Sequence, residues 1–222
     1  MTFETPNPKP IRLQFDRQVK RIQADVLRMG ALVENSFWLA HQSLFERNLT
    51  AAGQIAKQDK QIDQLYRQIE LDCVKLITLE GPVARDLRLL STLMQLVKDL
   101  ERIGDYAKDI GEIAVRLFMY PALQCMERAN AMSERCQAML VMSLAALTDL
   151  DAESGLQVKV KDDAVDADYQ FLYEQLAHKT TVEGSIEPIL LMVLVIRHLE
   201  RMADHATNIG QRVAYIVTGE RK

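Results

Sequence analysis

The stretch Asp99-Leu-Glu-Arg-Ile-Gly-Asp-Tyr-Ala-Lys-Asp-Ile-Gly-Glu112 sets how the rest of the chain is read, because it returns near the C-terminus as His198-Leu-Glu-Arg-Met-Ala-Asp-His-Ala-Thr-Asn-Ile-Gly-Gln211. Both copies hold Leu-Glu-Arg, an Asp four residues after the Glu, an Ala two further on, and a closing Ile-Gly. Glu101 and Glu200 lie 99 residues apart, as do Asp105 and Asp204. A shared pattern of this length at a fixed offset is an internal duplication. Leu100, Ile103, Ala107, Ile110, Ala114 and Leu117 alternate spacings of three and four, and so do Leu199, Met202, Ala206, Ile209, Val213 and Ile216. Each set is the apolar stripe of an amphipathic helix. Glu101 and Asp105 share one face beside that stripe, as do Glu200 and Asp204. Like charges at this spacing weaken a helix unless something offsets them.

Outward from this stretch the chain reads as helix throughout. A first helix is expected from Leu13 to Arg47. A second, with Thr50 as a candidate N-cap, runs to Leu79 on an apolar repeat of Ile55, Ile62, Ile69 and Leu76. Gly81-Pro82 stops it, and the opening motif sits on a third helix from Val83 to Met119. The order then repeats: a fourth helix from Leu123 to Leu147, a fifth to Thr180 with Val158, Val165 and Leu172 spaced by seven, and a sixth from near Ser185 and Pro188 to Thr218. No strand candidate shows clean alternation. The fold class is therefore all-α, two tandem pseudo-symmetric antiparallel three-helix bundles, with a loose tail over 1–11, one bundle over 12–119 and the other over 120–219.

Composition excludes several roles. The chain has 222 residues and a net charge of −4, with no sustained basic run, so nucleic acid is not an expected partner. Cys73, Cys125 and Cys136 make an odd count without a Cys-x-x-Cys, as in a reduced cytoplasmic protein. The first residues lack the apolar core of a signal peptide, and the longest apolar run, Ile189 to Ile196, is too short to enter a bilayer. There is no phosphate-binding glycine loop, no nucleophile elbow and no Glu-x-x-His pair, so no catalytic residues are assigned.

A second acidic pair makes the first one matter. The second helix carries Asp59 and Asp63 and the fifth carries Asp162 and Asp166, each 103 residues after its counterpart and in the same phase to the apolar seam. If the pairs on neighbouring helices face each other, four carboxylates converge in each repeat. Two such charges roughly 4 Å apart repel by roughly 4 kcal/mol at an effective dielectric of about 20. Solvent, raised carboxyl pKa values or a bound cation would relieve this. Oxygen-only ligation suits Mg, Ca or Mn, and carboxylate clusters also hold iron. An isolated pair of this spacing is usually just a solvated face, neutralised by neighbours such as Lys98, Lys108 and Arg197; the same phase in both repeats favours a cation site. Asp109 and Asn208 offer a further oxygen one turn along, and Glu70 extends the first site. His205 is placed to join the second cluster as a ligand, but Tyr106 at the matching position argues for a surface role; the repeated Arg102 and Arg201 suit surface salt bridges before contact with an anion or a partner. Arg85-Asp-Leu-Arg88 has no counterpart in the second repeat and reads as a partner surface of the first.

The twofold helical duplication, Ala-Arg-Asp-Leu-Arg at 84–88 and Leu-Glu-Arg-x-x-Asp at 100–105 and 199–204 together resemble the PhoU family of bacterial phosphate-transport accessory proteins and phosphate-regulon repressors. The resemblance covers nearly all of the chain beyond the tail. It implies paired three-helix bundles with a (Glu/Asp)-x-x-x-Asp hallmark that binds metal clusters in some members. The matching positions are Asp59, Asp63, Glu101 and Asp105, then Asp162, Asp166, Glu200 and Asp204. The implied ion is divalent or trivalent (Fe, Zn, Mn or Mg). Asn208 opposite Asp109 and His198 opposite Asp99 break the symmetry, so unequal sites are expected. The resemblance further implies a cytoplasmic, non-enzymatic, homodimeric negative regulator that contacts the ATPase of the phosphate ABC transporter and a phosphate-sensing histidine kinase. The competing class is a metal-dependent helical-bundle phosphohydrolase or a metal store.

Overall fold

The structure, a computed structural model, describes residues 10–178 and 184–220. They form six helices: α1 (Pro10–Phe45), α2 (Leu49–Glu80), α3 (Arg85–Leu117), α4 (Met126–Asp149), α5 (Ala152–Ala177) and α6 (Glu187–Thr218). At about 1.5 Å per residue the longer ones run to roughly 50 Å. Pro10 and Ile11, assigned to the tail on sequence, belong to α1, while the rest of the tail lies outside the described residues. The fifth helix ends at Ala177, and Thr180, its expected end, also lies outside them.

Local chemistry explains the boundaries. The N-cap of α2 is Asn48, not Thr50: the Asn48 side chain accepts from the amide of Ala51. α2 ends at Gly81, in the left-handed region at φ 53°. Asp151 caps α5 by accepting from the amides of Glu153 and Ser154. Ser185 accepts from Glu187 at the start of α6, where Pro188 occupies the first turn.

Helices α1, α2 and α3 pack on one another, as do α4, α5 and α6; α3 lies along α6, and α1 meets α4. Arg116 pairs with Glu187 while Asp99 pairs with Arg212, so α3 and α6 run antiparallel. The stripes Leu100, Ile103, Ala107 and Ile110, and Leu199, Met202, Ala206 and Ile209, are essentially inaccessible to solvent. All three cysteines are buried thiols, and burial pushes Cys73 up to about 12. Within Arg85–Arg88 two side chains are engaged inside the molecule, Asp86 accepting from Arg12 of α1 at 2.8 Å and Arg88 lying over Gly219 beside the Tyr215 ring, while Arg85 and Leu87 are exposed. Among the described residues no helix is long and apolar enough to cross a membrane.

Candidate metal centre

Packing α2 against α3 brings Asp59 and Asp63 toward Glu101 and Asp105, and packing α5 against α6 brings Asp162 and Asp166 toward Glu200 and Asp204. The mutual effects on protonation record it. Glu101 titrates above the ordinary carboxylate range, first through burial, then through Asp105 on its own helix and Asp63 and Asp59 on α2. Asp105 is raised by burial and by Asp59 and Asp63, against the opposing pull of Arg102 and Lys108. In the second repeat Asp166 is raised by burial, Asp162 and Asp204. Glu200 is raised by burial, Asp204 and Asp166, against Arg197 and Arg201. The acidic pairs of neighbouring helices therefore lie within electrostatic range of each other, Asp59 and Asp63 with Glu101 and Asp105 in the first repeat, and Asp166 with Glu200 and Asp204 in the second.

Within each group one aspartate is sunk into the seam. Asp59 is 8% exposed and Asp162 is 2%. Each is met by a lysine: Lys108 Nζ donates to Asp59 Oδ2 at 2.8 Å, and Lys159 Nζ to Asp162 Oδ2 at 2.7 Å. Lys108 was expected to serve Glu101 and Asp105 on its own helix; it reaches across to α2 instead. Arg102 lies 3.5 Å from Asp105 and 3.6 Å from Glu101, and Arg197 pairs with Glu200 at 2.8 Å. Arg201 lies 3.4 Å from Asp204, and its pKa is raised first by neighbouring Tyr106. With the side chains in these positions, no group of three or more His, Cys, Asp or Glu among the described residues is set to hold a metal ion. Among the described residues two buried carboxylate oxygens nevertheless have no hydrogen-bond partner, Asp162 Oδ1 and Glu200 Oε2, and both belong to the second group. A buried carboxylate oxygen left unpaired is costly, so this donor set fits a hard cation in its chemistry.

The additional oxygens are drawn elsewhere. Asp109 faces His198 at 3.9 Å, and Asn208 donates weakly to Asp99 at 3.4 Å. Glu70 accepts from Tyr66, beside the first group. His205 is not on the surface. Its Nδ1 lies 2.9 Å from Asp99 Oδ1 in the α3–α6 seam, and Tyr106 stands between it and His198. Arg212 completes this seam by donating to Asp99 Oδ2 at 2.5 Å and to Gln95 at 2.6 Å. Nothing in the spacing pointed to Asp99 as buried; its replacement by His198 in the second copy was the one available signal. A further polar cluster, Asp168 held by Arg128 and Arg135 between α4 and α5, left no sequence signal, since the matching first-repeat positions are Asp25, Leu32 and Leu65.

A duplicated three-helix bundle with one acidic seam per repeat is the class that this fold and site define. A family model described as the PhoU domain matches residues 26–114 and 129–213, and the chain belongs to the PhoU family. It is 58% identical over 213 residues to a phosphate-specific transport system accessory protein PhoU homolog of Synechocystis sp., covering 96% of this chain and 95% of that one. A homolog of the same description from Deinococcus radiodurans is 30% identical, over 96% of this chain and all of the other. The crystal structure of PhoU from Pseudomonas aeruginosa superposes with a TM-score of 0.89 at 31% identity, covering 93% of this chain and 100% of that one. The phosphate transport system regulatory protein PhoU from Streptococcus pneumoniae gives 0.85 at 29% identity, covering 94% and 99%.

Proposed function

We propose that this chain is a non-enzymatic accessory regulator of phosphate transport, which restrains phosphate uptake and the phosphate-starvation response. The observation that carries this reading is the match along nearly the whole chain to phosphate-specific transport system accessory proteins. In this reading the chain works in the cytoplasm as a homodimer. It acts by docking on the ATPase of the phosphate ABC transporter and on a phosphate-sensing histidine kinase. Asp59, Asp63, Glu101 and Asp105 would hold a divalent or trivalent ion (Fe, Zn, Mn or Mg) in the first repeat. Asp162, Asp166, Glu200 and Asp204 would hold one in the second, and the unpaired Asp162 Oδ1 and Glu200 Oε2 support that assignment. The bound charge would neutralise the carboxylates and fix the register of α2 on α3 and of α5 on α6.

The test is deletion in the source cell, with phosphate-starvation transcripts measured in phosphate-rich medium. Derepression is expected, and an unchanged response overturns the regulatory reading. Co-purification with the transporter ATPase and the kinase at high and low phosphate, with metal content measured on the same sample, tests the partners and the ion together.

A further inference from the structure

We infer that Lys108 and Lys159 are resident counter-ions, which occupy the cation positions of the two carboxylate groups and must withdraw before a metal ion can enter. The inference rests on the reading that these groups take up metal and concerns how that uptake is controlled.

Three observations support it. Within each carboxylate group the most buried member is the one that receives the ammonium: Asp59 from Lys108 and Asp162 from Lys159. The two lysines also come from different places. Lys108 is on α3 and reaches across to α2, and its matching position in the second repeat is Thr207. Lys159 is on α5, one turn before its aspartate, and its matching position in the first repeat is Ala56. Copying one ancestral lysine does not account for both, whereas the need to neutralise the same buried aspartate twice does. Finally, the lysine side chains remain 37% and 55% exposed, although the aspartates beneath them are 11% and 3%. A flexible four-carbon stem lets such a head swing into water without disturbing the helices.

The consequence is competition. A tethered ammonium acts at an effective concentration of the order of millimolar, so a free ion must outbid it for the deepest ligand. Ions that bind carboxylates weakly are turned away, and the fold stays neutralised while no metal is present. Lysine is suited to this, because an arginine fork would hold the carboxylate with two parallel bonds and release it less readily.

The experiment is a calorimetric titration of the full chain with Mn2+ and, in a parallel series, with Fe3+ supplied as citrate. Lys108→Met and Lys159→Met are compared with Lys60→Met and Lys161→Met, which remove the same charge from exposed positions adjoining the same two aspartates. Each gate variant should tighten its own site by about tenfold, the scale of one charge-assisted hydrogen bond withdrawn from competition. The adjoining variants should stay within about twofold of the parent, as exposed charges do. Without metal, Lys108→Met and Lys159→Met should also melt below the parent at neutral pH and recover when Mn2+ is added. Unchanged or weaker affinity in the gate variants, or equal tightening in the adjoining ones, overturns the inference while leaving the metal assignment standing. If neither the parent nor the gate variants take up either ion, the metal assignment itself fails and the gate falls with it.

Discussion

At His41 burial decides the protonation state. The ring lies half-buried where α1 meets α4, with Nδ1 3.0 Å from Ser133 Oγ. Its pKa is held below the ordinary 6.5 by desolvation, while Glu134 and Glu46 pull the other way. A depressed imidazole means that the unfolded chain takes up its proton first as pH falls. Stability is therefore unaffected well above 6.5 and is lost as pH drops below it. His198, depressed by burial against the pull of Asp109, adds to the same loss. The urea midpoint should fall between about pH 7.5 and 5.5, and His41→Gln should flatten that slope; a slope identical to the parent's would show that His41 takes no part. The carboxylates were legible in the sequence because a charge beside a repeating apolar seam is out of place, and Asp59 and Asp162 adjoin that seam in both copies. Their lysines were not legible, since a long side chain can reach several partners. The match of His205 to Tyr106 suggests a surface residue, whereas the two rings lie tilted against each other in the seam between repeats.

Helices pack only as closely as their smallest facing residues permit. Gly155 of α5 and Gly210 of α6 meet backbone to backbone: a Cβ on Gly155 would lie 2.6 Å from the Gly210 carbonyl oxygen, and one on Gly210 would strike the Gly155 carbonyl. The corresponding pair in the first repeat is Ala52 and Gly111, where an added Cβ would instead meet the tip of Ile55. Backbone cannot step aside, and a side-chain tip can. Gly210→Ala should therefore cost about 1–3 kcal/mol by overpacking, and Gly111→Ala distinctly less. Urea unfolding of the two variants decides it, and equal losses would contradict the asymmetry. The six helices and their order were legible from the three-and-four spacing and the heptad seams. The caps were less so. Arg47 and Leu150, at matching positions, take the left-handed conformation at φ 57° and 50° without being glycine. Residue type does not announce that conformation, which glycine usually supplies.

Across the whole molecule, the two repeats are joined chiefly along α3 and α6, and the seam is polar at one point. Asp99, 5% exposed, collects His205, Asn208 and Arg212 from the opposite repeat. The matching position is His198, which meets Tyr106 and Asp109 at the positions equivalent to His205 and Asn208. The pseudo-twofold is thus kept in position while its chemistry is exchanged, so one half of the seam holds an ion pair and the other tilted ring contacts. Duplication in the sequence implied two bundles but not which helices would join them, because the outer faces of α3 and α6 carry no continuous apolar signal there. Removing Asp99 would leave His205 Nδ1 without its contact and Arg212 with Gln95 alone. Asp99→Ala is expected to cost roughly 3 kcal/mol, toward the low end for a broken buried pair because the Arg212 side chain keeps 27% exposure. The double variant Asp99→Leu with Arg212→Met should recover much of that loss, since an apolar seam of similar volume needs no neutralisation. The parent should unfold in one transition, and Asp99→Ala in two, as the repeats lose their common seam. Calorimetry alongside circular dichroism separates the cases. A single coincident transition in Asp99→Ala would mean that the apolar contacts of α3 with α6, and of α1 with α4, suffice to make the repeats one cooperative body.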